Sequence, residues 1–433
     1  MYFRKNIGWM TVMFFCLVPV LMWLVMSPLA YRFFNLNTAL TSFGQIFGLL
    51  GITLFSINLI LSNRLMFFDR FFWGLNNLYN HHRAIGSISF SLLLFHPLLL
   101  VIKYLAISTQ SAALFFWPFG NLPGVNFGIF ALFLMMVLIV ITFYAGLAYQ
   151  NWKLTHKFMV ATFILAVLHA FYITSDISRN NFLRFYIFGI AIIGLAAGFY
   201  QAFLSRYINR NFIYKIKQVT RLNNEIIEIK AYSKARTIKF VPGQFVFVSF
   251  ISEAVSGELH PFSISSSPHV SEFEIVVKSL GDFTKKIKNL KPGDVMFLEG
   301  PYGKFSFQGI LQKNQIWLAG GVGITPYLSM ARSLEDSGFS IDLYYCTGNK
   351  EEAVYLDELQ KIALAKINFR MVSWCSSENG RINAKTVYRM SGGLAGKAIL
   401  LCGPASFMKD LKEQFLKLNV KRNNIYSEEF KFI

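Results

Sequence analysis

The chain has 433 residues, of which 54% are hydrophobic and 17% aromatic, and it carries a formal net charge of +19. This composition excludes an ordinary soluble globular protein, because so much apolar surface requires a bilayer. It also gives no support to nucleic-acid binding, since the excess positive charge is spread over both halves without a basic run interleaved with aromatic residues. Residues 1–211 contain 13 of the 42 Lys and Arg residues and only two acidic residues. The first half is therefore predicted to lie in a membrane and the second half to be a charged soluble module.

Six apolar stretches are each long enough to cross a bilayer core, which needs about 20 residues. They lie near 7–30, 39–62, 83–105, 126–148, 156–175 and 183–204. Assigning the flanking basic residues to alternate sides puts most of them on the side that holds both termini. Because basic residues concentrate on the cytoplasmic side, both termini are predicted to be cytosolic. The sequence thus predicts a six-helix transmembrane domain over residues 1–211.

Four histidines are spaced as two matched pairs within the third and fifth stretches. His82 and His96 are separated along one helix axis by about 21 Å, and His156 and His169 along another by about 20 Å. Both helices run in the same direction, so His82 is expected level with His156 and His96 level with His169. Two levels with two imidazoles each predict two stacked b-type haems with bis-histidine ligation. Both axial positions of each iron would then be filled, which is typical of electron transfer.

The identity of one ligand and the roles of nearby cations stay open in the sequence. His81 competes with His82 for the inner position. The gap between His156 and His169 does not return to one helix face, so a local distortion such as a π-bulge is expected in the fifth helix, unless it presents its two ligands from different sides. Four cations are candidates beside the haems, the first two on the cytosolic side and the last two near the outer acceptor: Arg83, Lys157, Lys103 and Arg184.

The second half contains two successive sequence patterns, each predicting a different domain. From 212 to 308, alternating β-rich runs separated by turns such as VPGQ and KPGD predict a small antiparallel β-barrel. From 309 to 433, strand, glycine turn and helix recur, which predicts an α/β nucleotide-binding domain with a parallel sheet. The four cysteines form no CxxC pair or disulfide framework, so this half is expected in a reducing compartment.

The segment HPFSISSSP at 260–268 resembles the flavin-binding signature of the ferredoxin–NADP reductase superfamily, in its NADPH oxidase and ferric reductase branch. The resemblance implies an aromatic ring against the flavin and a hydroxyl at its N5 edge. KSLGDFTKKI at 278–287 is similar to the pyrophosphate-binding segment of that superfamily. The FAD-binding residues implied are His260, Pro261, Phe262, Ser263, Lys278, Gly281 and Thr284.

The segment AGGVGITPYLSM at 319–330 is similar to the nicotinamide-nucleotide turn of the same superfamily. Glycines let a backbone approach a pyrophosphate at a helix N-terminus. The NADPH-binding residues implied are Gly320, Gly321, Gly323, Thr325, Pro326, Cys402, Gly403 and Pro404. Lys350 and Arg381 are the candidates for a 2′-phosphate, so NADPH is favoured, with NADH left open. The resemblance also implies that Cys402 lies beside the nicotinamide and that a C-terminal aromatic, Phe430 or else Phe432, covers the flavin.

The whole chain resembles the NADPH oxidase and ferric reductase family, and its length is similar to that of bacterial members. The resemblance implies electron flow from cytosolic NADPH through FAD and two haems to an extracytoplasmic acceptor, expected to be oxygen, which would give superoxide. Two alternatives remain: a ferric or cupric chelate reductase, and a membrane subunit that feeds electrons to a periplasmic partner. The expected location is the bacterial cytoplasmic membrane, with the lipid bilayer and oxygen as partners, no nucleic acid and no obligatory activating protein.

Overall fold

The computed structural model describes residues 2–105, 108–115, 117, 119, 122–208, 212–255, 257–335 and 338–428. The chain divides into two compact units, Met1–Tyr207 and Ile208–Ile433. The first is helical, and the second combines two sheets with short helices.

The first unit is built from long apolar helices with short connections. Its helices are α1 (Tyr2–Met26), α2 (Leu29–Arg32), α3 (Leu36–Leu61), α4 (Met66–Phe71), α5 (Leu75–Leu105), α6 (Thr109–Phe115), α7 (Pro123–Tyr144), α8 (Tyr149–Lys157), α9 (Met159–Tyr172), α10 (Asp176–Arg179), α11 (Asn181–Phe199) and α12 (Ser205–Ile208). Within the described residues, six spans are long and apolar enough to cross a membrane: Ile7–Met26, Leu36–Leu61, Leu75–Leu105, Pro123–Tyr144, Gln150–Tyr172 and Asn181–Leu204. The six-helix prediction is confirmed, and the protein is a multi-pass membrane protein.

Two helices of this unit differ from the simplest expectation. The third span begins at Leu75 rather than near 83, because the helix continues through a polar turn before the apolar stretch. The fifth span is divided at Phe158, whose N–H donates to Thr155 O at 3.0 Å. This break is the local distortion that the histidine spacing predicts, and it lies two residues after His156. The π-helical turn of the unit lies elsewhere, at Tyr200–Leu204.

The second unit begins with an antiparallel sheet that nearly closes on itself. Its strands are β1 (Phe212–Arg221), β2 (Ile226–Tyr232), β3 (Phe245–Ile251), β4 (His260–Ser263), β5 (Phe273–Lys278) and β6 (Val295–Tyr302), with helix α13 (Asp282–Lys286) between β5 and β6. The strand order is β4-β3-β6-β1-β2-β5. A bridge between Ile264 and Ile275 joins the two edges, so the sheet curls into a barrel around buried aliphatic and aromatic side chains. The β-barrel prediction is confirmed.

A five-stranded parallel sheet follows, with helices on both faces. Its elements are β7 (Asn314–Gly320), α14 (Thr325–Arg332), β8 (Ser340–Thr347), α15 (Leu356–Ala365), β9 (Phe369–Cys375), α16 (Ser376–Asn379), α17 (Ala384–Met390), β10 (Ala398–Cys402), α18 (Ala405–Lys417) and β11 (Ile425–Glu428). In the strand order β11-β10-β7-β8-β9, the chain adds β8 and β9 on one side of β7 and then β10 and β11 on the other side, so the order of addition reverses between β7 and β10. In doubly wound sheets a dinucleotide lies across the carboxyl ends of the strands at this reversal. The α/β prediction is confirmed.

Candidate electron-transfer site

The four histidines of the matched spacing face one another as two pairs. The His82 and His156 ring centroids are 6.4 Å apart, and those of His96 and His169 are 6.1 Å apart. His82 and His156 are called the first pair, and His96 and His169 are called the second pair. Each pair joins α5 to the broken helix α8–α9. The structure thus brings together the residues that the sequence analysis grouped by level.

The second pair is fixed by the backbones of the neighbouring helices. Nδ1 of His96 lies 2.7 Å from Gly44 O of α3, and Nδ1 of His169 lies 2.7 Å from Gly124 O of α7. A hydrogen bond from Nδ1–H to a carbonyl leaves Nε2 unprotonated, which is the form that binds a metal. Both rings therefore offer Nε2 as a ligand.

A glycine one turn further along each neighbouring helix provides room for these rings. A Cβ on Gly48 would lie 3.1 Å from His96 Nδ1, and a Cβ on Gly128 would lie 2.7 Å from His169 Nδ1. Each ring thus lies against a segment with a glycine at both ends, GQIFG at 44–48 or GVNFG at 124–128, and we call the second glycine of each segment the glycine seat. Their small-xxx-small spacing was a readable signal of close helix contact, but our sequence analysis did not use it.

The first pair is held differently. Nδ1 of His82 lies 3.1 Å from Asn58 O, whereas Nδ1 of His156 has no hydrogen-bond partner within the described part of the chain. His156 instead stacks on Trp152, with ring centroids 5.1 Å apart. His81, the alternative ligand, is turned away: its ring packs against Trp9 and Phe72 at centroid distances of 4.7 and 5.0 Å. Of the two adjacent histidines, His82 is the one that faces His156.

The ring separations fit one iron between each pair. Metal–nitrogen bonds of about 2.0 Å and ring centres about 1.1 Å behind each nitrogen place two imidazole centroids on opposite sides of one metal about 6.2 Å apart. The observed 6.4 and 6.1 Å agree with this separation. Directly hydrogen-bonded imidazoles would be closer, and packed rings would have no reason to repeat one distance at both levels. The donor set therefore fits two haems, held by His82 with His156 and by His96 with His169.

Gly128→Ala is expected to disturb the second pair while leaving the first intact. The added methyl group would meet His169 Nδ1 at 2.7 Å and displace the ring from Gly124 O. Changes around a metal-binding histidine typically lower affinity by about 10- to 100-fold. Haem titration of the purified apoprotein should show this loss at one of two sites. Gly189→Ala, where a Cβ meets nothing within 4 Å, should bind both haems normally; equal affinities in the two variants would contradict the role of the glycine seat.

Of the four candidate cations, Lys103 and Arg184 lie near the ends of their membrane helices, whereas Arg83 and Lys157 lie about two turns inside the third and fifth spans. Lys103 and Lys157 each lie 5.9 Å from an aromatic ring centroid, that of Tyr104 and that of Phe203 respectively. The Arg184 guanidinium lies 5.7 Å from the Phe171 ring, two residues after His169. Arg83 is exposed.

A buried charge pair near the second histidine pair was missing from the sequence analysis. Arg32 Nη1 lies 3.3 Å from Asp176 Oδ2 and 3.2 Å from Gln45 Oε1. Its Nη2 donates to Trp23 O at 2.7 Å. The pair joins α2 to α10, which are separated by 144 residues of sequence, and Gln45 follows the glycine that anchors His96. It therefore connects the ends of several helices at one level of the unit.

The flavin-type motifs meet on one side of the barrel. The His260 ring stacks on Phe283 with centroids 3.8 Å apart, which joins the HPFS strand to the GDFT turn. Pro261 and Phe262 are half-buried and Ser263 is buried. Thr284 Oγ1 accepts from Gly281 N–H at 2.9 Å, and the Lys278 ammonium lies 3.2 Å from Glu225. The structure thus places both halves of the predicted FAD site side by side, with Thr284 shaping the turn.

The two glycine-containing turns of the α/β domain also lie against each other. A Cβ on Gly323 would be 2.4 Å from Cys402 O, and a Cβ on Gly403 would be 3.0 Å from Gly320 Cα. Gly321 has a φ of +54°. These close approaches leave room for a pyrophosphate but not for side chains, which fits a dinucleotide across β7 and β10. Thr325 and Pro326 begin α14 directly after the turn.

The remaining residues predicted for the nucleotide site differ in burial and in position: Cys402 is buried, whereas Arg381 is exposed. Burial and then the Glu428 carboxylate raise the pKa of the Cys402 thiol well above its ordinary value, so the thiol stays protonated. Pro404 follows Gly403 at the start of α18. Lys350 lies beyond β8, and Arg381 is exposed. Phe430 and Phe432 lie outside the described residues.

An ionic network fixes the barrel to the α/β domain within the second unit. Arg332, at the end of α14, donates to Glu274 of β5 at 2.6 Å and to Ser265 O at 2.9 Å. It also forms two hydrogen bonds to Glu358 of α15, at 2.6 and 2.9 Å. Bidentate arginine–carboxylate pairs are strong and directional. The helix that follows the nucleotide turn is therefore joined to the segment that follows HPFS.

Comparison with known families agrees with this arrangement. Three family models match: a ferric reductase like transmembrane component over residues 47–167, an FAD-binding domain over 211–306 and an oxidoreductase NAD-binding domain over 317–413. The fold, these domains and the paired motifs define a transmembrane oxidoreductase with FAD- and NAD(P)H-binding domains. These matches support the resemblance of the chain to the NADPH oxidase and ferric reductase family.

Individual relatives cover parts of the chain. Dual oxidase 1 of Caenorhabditis elegans is 26% identical over 272 residues, which are 57% of this chain and 17% of that protein. The glycine betaine monooxygenase reductase subunit of Chromohalobacter salexigens is 31% identical over 210 residues, 44% of this chain and 55% of that protein. A ferredoxin NADP+ reductase structure from Neisseria gonorrhoeae, with bound FAD and NADP, aligns with a TM-score of 0.43 at 19% identity, over 50% of this chain and 97% of that chain.

Proposed function

We propose that this protein is a transmembrane NAD(P)H oxidase that reduces oxygen to superoxide on the face of the membrane opposite its nucleotide-binding domain. The observation that carries the proposal is the repeated pairing of His82 with His156 and of His96 with His169, with ring centroids 6.4 and 6.1 Å apart. Bound there and in the barrel, haem and FAD would supply one-electron and hydride-accepting chemistry. Two oxygen molecules would accept the two electrons of one hydride. The membrane would be the bacterial cytoplasmic membrane, with the second unit in the cytosol.

The chain's own residues would supply position and access. The pairs His82–His156 and His96–His169 would hold the two haems, which would supply one-electron transfer when bound. The stacked His260 and Phe283 would hold one wall of the flavin site. The contact between the Gly323 turn and the end of β10 would place the nucleotide close to Cys402. In this arrangement no side chain takes part in covalent chemistry.

Oxygen is the acceptor that the described residues favour. No group of three or more His, Cys, Asp or Glu side chains in the described part of the chain is placed to hold a metal ion. The buried cation Arg32 is already neutralised by Asp176. A small uncharged acceptor needs neither a metal-binding cluster nor a free buried cation. A ferric or cupric chelate reductase and an electron-feeding membrane subunit are the outcomes against which the proposal is tested.

The test is turnover of the purified protein, loaded with haem and FAD in lipid nanodiscs, with NADH or NADPH and no added protein. We expect nucleotide consumption in air accompanied by cytochrome c reduction that superoxide dismutase suppresses. Slow consumption in air with fast anaerobic reduction of ferric citrate would instead identify a chelate reductase. Haem that is reduced by nucleotide but passes electrons only to a co-purified protein would identify the feeding subunit.

A further inference from the structure

The adenosine end of the nucleotide site contains a cavity whose charges differ from those expected for NADPH. Because β8 and β9 lie on the far side of β7 from β10, the adenosine half of a dinucleotide would lie at their carboxyl ends. A cavity of about 290 Å³ lies there. Its lining includes Thr347, Lys350, Ala353, Leu356, Cys375 and Glu378. Apolar and polar side chains are thus both present where an adenine and a ribose would meet the protein.

The ammonium group that lines the cavity belongs to Lys350, and it already forms an ion pair with a carboxylate. Lys350 Nζ lies 2.8 Å from Glu378 Oε1, and both residues are among those lining the cavity. Arg381, the other candidate for a 2′-phosphate, is exposed and not among them. A 2′-phosphate would have to displace Glu378 from Lys350 and would then face the carboxylate that it displaced.

A second carboxylate stands at the end of β8. Glu352 Oε2 accepts the Gly348 N–H at 3.1 Å, one residue after the strand ends. In doubly wound nucleotide folds, an acidic residue near this strand end accepts hydrogen bonds from the ribose hydroxyls of NAD, whereas a nearby arginine accommodates the phosphate of NADP. Lys350 and Glu378 therefore line the cavity, and Glu352, which is not among its lining residues, adds a second carboxylate at the end of β8.

We propose that the electron donor is NADH, and that Glu378 and Glu352 exclude the 2′-phosphate of NADPH. The inference rests on the proposed nicotinamide-dependent function and narrows its donor. Carboxylates favour a ribose diol, to which they can bond, and oppose a phosphate of about −2 charge. Since the Lys350–Glu378 pair is exposed, its individual effect is modest, and the discrimination comes from the sum of both carboxylates.

The test compares the two nucleotides on the full-length, haem- and FAD-loaded protein. Flavin reduction is followed anaerobically by stopped flow, and kcat/KM for haem reduction is measured with each nucleotide. The wild-type protein is expected to favour NADH by about tenfold or more. Glu378→Gln, which frees Lys350, is expected to lower the ratio of NADH to NADPH efficiency by about three- to tenfold. The matched control is Glu351→Gln, an exposed carboxylate outside the cavity lining, which should leave the ratio unchanged.

The outcomes separate this inference from the function on which it rests. A wild-type preference for NADPH, equal use of both nucleotides, or the same ratio in Glu378→Gln as in the control would overturn the NADH assignment and leave the oxidoreductase function standing. Failure of both nucleotides to reduce the flavin, in protein whose haems dithionite still reduces, would refute the proposed function itself.

Discussion

His169→Ala is expected to reduce the haem content of the purified protein from two per chain to one. His169 faces His96, and its Nδ1 is anchored 2.7 Å from Gly124 O, so alanine removes both the ligand and its support. His156 precedes the Phe158 break and faces His82 of α5, so the first pair keeps both imidazoles. Pyridine haemochrome assay against protein concentration measures the ratio. Steady-state oxygen reduction should fall by at least about 100-fold, because the second level would no longer carry electrons.

The matched control is His81→Phe, which removes an imidazole one residue from a ligand while keeping an aromatic ring between Trp9 and Phe72. This variant should retain two haems. If His169→Ala also retained two, or His81→Phe lost one, the assignment of the four ligands would be wrong. The comparison thus tests the choice of His82 over His81 together with the second pair.

Gly323→Ala is expected to abolish reduction of the protein by nicotinamide nucleotides while leaving its cofactor content intact. The added Cβ would lie 2.4 Å from Cys402 O and 2.7 Å from Gly403 N, and neither backbone atom can rotate away. The β7 turn must therefore move from the end of β10. A displacement of about 1 Å at a reaction site lowers rates by about 100-fold. Stopped-flow flavin reduction measures the loss, and dithionite reduction of the haems should remain normal.

Gly309→Ala is the control for this variant, because a Cβ there meets nothing within 4 Å and the residue lies in a short turn of the same domain. It should reduce its flavin at the wild-type rate. A Gly323→Ala protein whose rate stayed within threefold of this control would show that the dinucleotide does not depend on contact between the two turns.

Local patterns in the sequence were sufficient for the architecture and for the histidine pairs. Helical spacing placed His82 and His96 at two levels because a membrane helix advances regularly, and strand alternation predicted the barrel. The break at Phe158 is one of the two arrangements that the gap from His156 to His169 predicts, the other being an unbroken helix with its two ligands on different sides. These features depend on neighbours along the chain.

Features that depend on packing between distant segments were harder to predict. The pairing of Arg32 with Asp176 spans 144 residues and is visible only after the helices are assembled. The charge of the adenosine cavity likewise depends on Glu378 reaching Lys350 across two strands. From sequence, Lys350 indicates phosphate binding, but in the structure it is paired with a carboxylate. The Gly48 and Gly128 seats had a readable spacing, yet their purpose became clear only with the rings in place.

The backbone anchoring of His96 and His169 has a consequence for the speed of electron transfer. Each ring is held between a main-chain carbonyl and a glycine, so it can neither rotate nor withdraw when the charge of a group bound between the pair changes. A site that needs little nuclear rearrangement between its two oxidation states has a small reorganisation energy. The first pair, with His156 Nδ1 free of any hydrogen bond to the described residues, is less tightly constrained. The barrier to electron transfer should therefore be lower at the His96–His169 level.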